Sequence, residues 1–229
     1  MTTAIDQALA QAHQRFIEGN PESLRRFEAQ TRYMPGANSR SVLFYAPFPL
    51  TIAKGEGAAL WDADGHRYTD FIAEYTAGVY GHSAPEIREA VIAAMQGGIN
   101  LTGHNLLEGR LARLICERFP QIEQLRFTNS GTEANLMALT AALHFTGRRK
   151  IVVFSGGYHG GVLGFGAKPS PTTVPFDFLV LPYNDTQTAR EQIDKHGPEI
   201  AAVLLEPMQG ASGCIPGGLE FLQALRESA

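Results

Sequence analysis

Thr128-Asn129-Ser130-Gly131-Thr132-Glu133-Ala134-Asn135 follows an apolar stretch at residues 125–128 and opens a helical pattern over 132–145. That order reads as a strand end, a short loop and a helix start. The first amides of a helix have no intrahelical acceptor, and the helix dipole is positive there. Ser130 and Thr132 add hydroxyls, and Gly131 lets a ligand approach the backbone closely. The stretch therefore suits a phosphate group. A plain helix cap would use the same residue types, so both readings stand on local grounds.

Downstream, strands are predicted at 150–154, 178–181 and 200–205. Helices are predicted at 186–196, behind the cap residue Asp185, and from Leu219 onward. Strands alternating with helices mean parallel pairing with crossover helices, an α/β fold. The unbroken apolar runs Ile151-Val152-Val153-Phe154 and 201–205 fit strands covered on both faces. In such a sheet ligands bind outside the carboxyl ends of the strands. Two further signals fall at that edge. Ser155-Gly156-Gly157-Tyr158-His159-Gly160-Gly161 is rich in glycine, which is costly to order unless something approaches closely, and it offers a flat ring from Tyr158 or His159. A flexible connection with a satisfied histidine is the plainer reading. Glu206, in Leu205-Glu206-Pro207, ends a buried strand, where a carboxylate needs a partner; an exposed loop glutamate is the alternative. A phosphate cradle, an aromatic ring and a carboxylate on one sheet edge suit a small phosphorylated aromatic cofactor, and pyridoxal 5'-phosphate is the obvious candidate.

Upstream, a helix is predicted over 4–16. A second starts at Asn20-Pro21-Glu22, with Asn20 as cap and Pro21 in the first helical position. Runs 50–54, 59–62 and 67–71, broken by Gly55-Glu56-Gly57 and Asp62-Ala63-Asp64-Gly65, read as a small antiparallel meander. Ser83 and Glu86 suggest a capping box for a helix that ends at Gly97-Gly98, and another helix covers 107–119 before Pro120. The expected organisation is an N-terminal helical and meander segment, residues 1–80, followed by an α/β domain, residues 81–229.

The length of 229 residues corresponds to about one and a half typical domains. Nineteen basic against 23 acidic residues leave −4, which argues against a chain built to coat nucleic acid or an anionic membrane. No apolar run reaches the roughly 18 residues of a membrane span. The first twenty residues carry Asp6 and lack the apolar core of a signal peptide, so a cytoplasmic protein is expected. Cys116 and Cys214 lie far apart and suit buried thiols in a reducing compartment. Walker A, complete GxGxxG, GxSxG and HExxH patterns are absent; Gly161 and Gly166 have the Walker spacing, but Ala167-Lys168-Pro169 follows. The seven histidines are scattered, and no metal site is expected.

Asn129-Ser130-Gly131-Thr132-Glu133-Ala134, Tyr158-His159-Gly160 and Glu206-Pro207, in this order, resemble the class III aminotransferases, pyridoxal phosphate enzymes of fold type I. Gly57 to Phe71 resembles that family's N-terminal meander. Arg32-Tyr33-Met34-Pro35-Gly36-Ala37-Asn38-Ser39-Arg40 and 73–82 resemble its glutamate-1-semialdehyde aminomutases and β-amino-acid aminotransferases, nearly residue for residue with the latter. The resemblance implies a mostly parallel sheet covered by helices, and a homodimer acting on a small amino acid and a 2-oxo acid. It implies that Ser130, Gly131 and Thr132 hold the cofactor phosphate, that Tyr158 stacks on the pyridine ring, and that Glu206 orders the polar surroundings. Arg40 would form a guanidinium fork for a substrate carboxylate, with Tyr75 and Tyr80 walling a pocket for an aryl group. The implied reaction is ping-pong transamination of an aromatic β-amino acid with a 2-oxo acid acceptor. Aminomutase activity is the alternative within the fold, and a non-catalytic phosphate-binding protein the alternative outside it. The family's Schiff-base lysine and pyridine-nitrogen aspartate are expected further downstream than Ala229. Lys54, Lys150, Lys168 and Lys195 lack that lysine's context, so no catalytic residue is assigned, and the chain reads as the N-terminal half of a longer enzyme, inactive alone.

Overall fold

Helix α1 (Ala4–Gly19) starts at a reciprocal cap. Asp6 N–H donates to Thr3 Oγ1 at 3.2 Å, and Thr3 N–H donates to Asp6 Oδ2 at 2.8 Å. The computed structural model describes residues 3–166 and 170–228. Helix α2 (Pro21–Gln30) has Pro21 in its first turn as expected, but Asn20 is not its side-chain cap. The Asn20 amide donates back to the Phe16 carbonyl at 2.7 Å and closes α1. The amides of α2 go to Asp64 instead. This carboxylate accepts from Glu22 N–H at 2.7 Å, Ser23 N–H at 3.0 Å and the Ser23 hydroxyl at 2.7 Å. A charged acceptor at the positive end of a helix is the stronger cap.

Asp64 stands in the meander of β1 (Ile52–Glu56), β2 (Ala59–Asp62) and β3 (Arg67–Thr69), paired antiparallel in that order. Gly55 and Glu56 pair with Leu60 and Ala59, so the first reversal falls at Gly57-Ala58, later than the predicted break. Asp62 ends β2 fully buried and is well satisfied: it accepts from the Tyr68 hydroxyl at 2.7 Å and His66 N–H at 2.8 Å. Burial alone would raise this carboxyl, but the bonds from Tyr68 and His66 outweigh it and hold it below the usual carboxylate range. Helix α3 (Pro85–Gln96) follows without the predicted capping box. Ser83 turns away, at φ +64°, and its hydroxyl donates to the Gly55 carbonyl at 2.8 Å. A tertiary carbonyl engages the hydroxyl in place of the local backbone N–H it would have accepted from.

The chain divides into two compact units, Met1–Asn105 and Leu106–Ala229. The boundary lies after α3, beyond the 80/81 boundary expected from sequence. The second unit holds helix α4 (Leu106–Arg118), then α5 (Gly131–Thr146), capped by Ser130 and ended by Gly147 in the left-handed region. Strand β4 (Lys150–Phe154), strand β5 (Asp177–Leu181), helix α6 (Thr186–His196) and strand β6 (Ile200–Val203) follow, then the short hairpin β7 (Met208–Gln209) and β8 (Ile215–Pro216), and helix α7 (Leu219–Ser228). The parallel sheet has the order β5-β4-β6. Its central strand feeds both faces in alternation. Val152 and Phe154 pack with Ala189 and Ile193 of α6 and Phe221 and Leu225 of α7. Ile151 and Val153 pack with Leu139 of α5 and with Leu163 and Phe165. The strand expected at 125–128 is not formed; these residues run irregularly into α5. A strand exists only through bonds to a neighbour, and here none pairs with it among the described residues.

Candidate functional site

The carboxyl edge of this sheet carries an open cleft of about 560 Å³, lined by the start of α5, the loop after β4 and the loop after β6. At the start of α5, Glu133 N–H donates to Ser130 Oγ at 3.1 Å. The Glu133 carboxylate turns back to accept from Asn129 N–H at 2.8 Å. The amides of Gly131 and Thr132 precede the first helical bond, Ala134 N–H to the Ser130 carbonyl, and have no acceptor among the described residues. Ser130 is thus a helix cap, and the cap leaves its own hydroxyl proton free to donate. The helix-cap reading of this stretch is the one seen directly.

The loop after β4 is pressed against that helix end. Thr132 Oγ1 accepts from Gly161 N–H at 3.1 Å. Gly160 lies at φ +132°, and a β-carbon there would stand 2.7 Å from Thr132 Cα, so only glycine passes. The Asn135 amide donates to the His159 carbonyl at 2.8 Å, one turn further along α5.

The same loop is stapled to the segment after β6. Glu206 Oε1 accepts from Tyr158 N–H at 2.8 Å, and Glu206 Oε2 accepts from Gly210 N–H at 3.1 Å. The Gln209 amide donates to the Ser155 carbonyl at 2.9 Å, and the Ser212 hydroxyl to the Gly156 carbonyl at 2.6 Å. The Tyr183 hydroxyl donates to the Glu206 carbonyl at 2.8 Å. These side chains anchor the backbone that carries Tyr158, whose side chain remains exposed at the cleft. His159 does not share that exposure. Its imidazole is buried, its Nε2 has no hydrogen-bond partner, and burial lowers its affinity for a proton, opposed in part by the Glu206 charge. Of the two residues, both of which line the cleft, Tyr158 is the exposed one.

The first unit holds the other expected residues. Arg40 Nη1 bonds Glu74 Oε2 at 3.0 Å, and its guanidinium lies 5.9 Å from the centre of the Tyr75 ring. Tyr80 is exposed. Lys54, in β1, pairs with Glu56 and lies over Trp61. Lys150 starts β4, at the end of the sheet away from the cleft, and pairs with Asp177. Lys195 is in the last turn of α6, and Lys168 lies outside the described residues. Sequence reasoning missed Asn135, Gln209, Ser212 and Glu74. Gln209 and Ser212 could have been suspected from their nearness to Glu206-Pro207; nothing local marks Glu74 as the partner of Arg40.

A capped helix start faced by a stapled aromatic loop at the carboxyl edge of a parallel sheet makes this an α/β protein, and the chain belongs to the class-III aminotransferases, whose family model matches residues 44–229. Over 226 residues it is 89% identical to β-phenylalanine transaminase of Variovorax paradoxus, covering 99% of this chain and 52% of that protein. The crystal structure of β-phenylalanine aminotransferase from that organism matches with a TM-score of 0.95 at 89% identity, over 99% of this chain and 53% of that one. Glutamate-1-semialdehyde 2,1-aminomutase of Methanopyrus kandleri is 37% identical over 221 residues, covering 90% of this chain and 51% of that protein. A transaminase solved with PLP bound is 32% identical with a TM-score of 0.83, over 91% of this chain and 52% of that one. The chain spans about half the length of the curated relatives it matches.

Proposed function

We propose that the full-length protein is a pyridoxal phosphate-dependent aminotransferase that moves the amino group of an aromatic β-amino acid to a 2-oxo acid. The observation that carries this reading is the cleft at the start of α5, in a chain 89% identical to a β-phenylalanine transaminase. The residues present fit the cofactor. The amides of Gly131 and Thr132, which have no acceptor among the described residues, and the hydroxyls of Ser130 and Thr132 would hold its phosphate at the positive helix end. The exposed ring of Tyr158 would lie against the pyridine. Glu206 would keep that ring in place through the Tyr158 amide. Bound pyridoxal phosphate supplies the electron sink that makes the carbon bearing the amino group acidic. Arg40 would bind the substrate carboxylate, with Tyr75 and Tyr80 flanking its aryl group. Among the described residues lining the cleft there is no lysine, so none of them is assigned the proton transfer.

Incubating the full-length protein with β-phenylalanine and 2-oxoglutarate should yield glutamate and 3-oxo-3-phenylpropanoate in equal amounts. No glutamate above a heat-killed control would sink the reading. The 37% identity to an aminomutase supports a second reading, isomerisation of glutamate-1-semialdehyde, which needs no external acceptor. We also infer a cytoplasmic homodimer, as in the family resemblance, to be checked by light scattering and cell fractionation. Among the described residues no helix is long and apolar enough to cross a membrane.

A further inference from the structure

Arg40 does not stand open to a ligand. A carboxylate of its own chain, Glu74, lies at 3.0 Å, contributed from 34 residues away. Both side chains are about half exposed, 49% for Arg40 and 57% for Glu74. Glu74 reaches this position on a costly backbone. Ala73, Glu74, Tyr75 and Thr76 take φ of +44°, +48°, +53° and +78°. In the left-handed region the β-carbon crowds the following carbonyl, and a run of such residues is avoided by L-amino acids. Gly81, further along, also takes a positive φ of +77°, but the run from 73 to 76 contains no glycine to carry it cheaply.

The turn is anchored at its base. Asp70 accepts from Ile72 N–H at 2.8 Å and Ala73 N–H at 3.2 Å. The same carboxylate lies 2.9 Å from His82 Nε2, where the chain returns to the meander. Gly57 and His82 exchange backbone bonds at 3.0 and 2.8 Å. The base is therefore firm, and the strained segment above it presents one carboxylate to one guanidinium, with Tyr75 beside the pair.

We propose that Glu74 is the internal occupant of the Arg40 site and that the carboxylate of an amino-acid substrate binds by displacing it. The proposal rests on the reading that Arg40 binds the substrate carboxylate. Glu74 and that substrate present the same group to the guanidinium, so they compete. The exchange is inexpensive, because a half-exposed ion pair is weak. A ligand that must displace an occupant binds with its affinity reduced by the fraction of sites open. An amine without a carboxylate displaces nothing and meets an Arg40 whose charge Glu74 already balances. Glu74 thereby sets the preference between β-amino acids and simple aryl amines.

The test uses the full-length holoenzyme, its Glu74→Gln, Glu74→Ala and Arg40→Gln variants, and the Arg40→Gln/Glu74→Gln double variant. Kinetics with β-phenylalanine and with 1-phenylethylamine, its counterpart lacking the carboxylate, are joined by calorimetric binding of 3-phenylpropanoate. The glutamate variants should lower KM for β-phenylalanine and Kd for 3-phenylpropanoate by about two- to five-fold, the worth of an exposed ion pair. Their KM for 1-phenylethylamine should stay unchanged. In the Arg40→Gln background, the Glu74 substitution should have no further effect. If Arg40→Gln leaves KM for β-phenylalanine unchanged, the Arg40 reading fails and takes this proposal with it. If Arg40→Gln raises that KM but neither glutamate variant lowers it, or both substrates gain equally, Arg40 keeps its role and Glu74 is no displaced occupant.

Discussion

Gly160 has the least freedom of any residue at the cleft. Its φ of +132° and the 2.7 Å that a β-carbon would leave to Thr132 Cα mean that Gly160→Ala must push the 155–166 loop off the start of α5. We expect this variant of the full-length protein to lose about 1–3 kcal/mol of stability, the cost of overpacking against backbone, and to bind pyridoxal phosphate more weakly; urea unfolding and fluorescence titration measure the two. His159, its neighbour, carries a pH signature. Burial holds its imidazole below its ordinary value of 6.5, so below that pH the unfolded chain takes a proton that the folded chain refuses. Stability should therefore fall from about pH 7.5 to about pH 5.5, since the unfolded state binds more protons. His159→Gln should flatten this part of the profile, and urea midpoints across the range would show whether it does. The glycine-rich loop was legible in the sequence as a place of close approach. Which of its two rings is buried was not, because packing decides it: His159 lies against Phe165 while Tyr158 is exposed.

Helix α2 shows how an element is completed from outside its own stretch. Proline in the first turn and the apolar spacing mark it in the sequence, but its cap arrives from the meander as Asp64. Asp64→Ala should cost about 1–2 kcal/mol, the worth of a good N-cap, whereas Asn20→Ala should act on the end of α1 through its bond to Phe16. Comparing the two variants by thermal melting separates the caps. Ser83 teaches the same lesson: it has capping-box spacing, yet it serves the Gly55 carbonyl. At residues 125–128 the apolar run reads as a strand, and the described chain offers it no neighbour. In each case the local pattern names a propensity, and a partner distant in sequence decides whether it is realised.

Over the whole molecule, apolar surface remains uncovered on particular helices. Ile87, Val91, Ile92 and Met95 of α3 are exposed, as are Leu106, Leu107, Leu111 and Leu114 of α4. At helical spacing such residues form stripes of the kind that a folded protein normally covers. The 229-residue polypeptide is therefore expected to bind the dye ANS more strongly than the full-length protein does, and equal fluorescence per mass would count against it. Treated with pyridoxal phosphate and borohydride, the same polypeptide should yield no adduct at a single stoichiometric lysine, which peptide mapping would reveal.

Period and punctuation were enough to mark most of the elements. Alternation and helical spacing reflect geometry within a few residues, so β4, α5, α6 and α7 could be read directly, and the capped start of α5 with them. The bonds that turn these elements into a site join residues far apart in the chain: Glu206 to Tyr158 across 48 positions, Asp64 to Ser23 across 41, and Glu74 to Arg40 across 34. A hydrogen-bond donor or a charge must find its partner in space, and folding decides which of several chemically equivalent partners stands within reach.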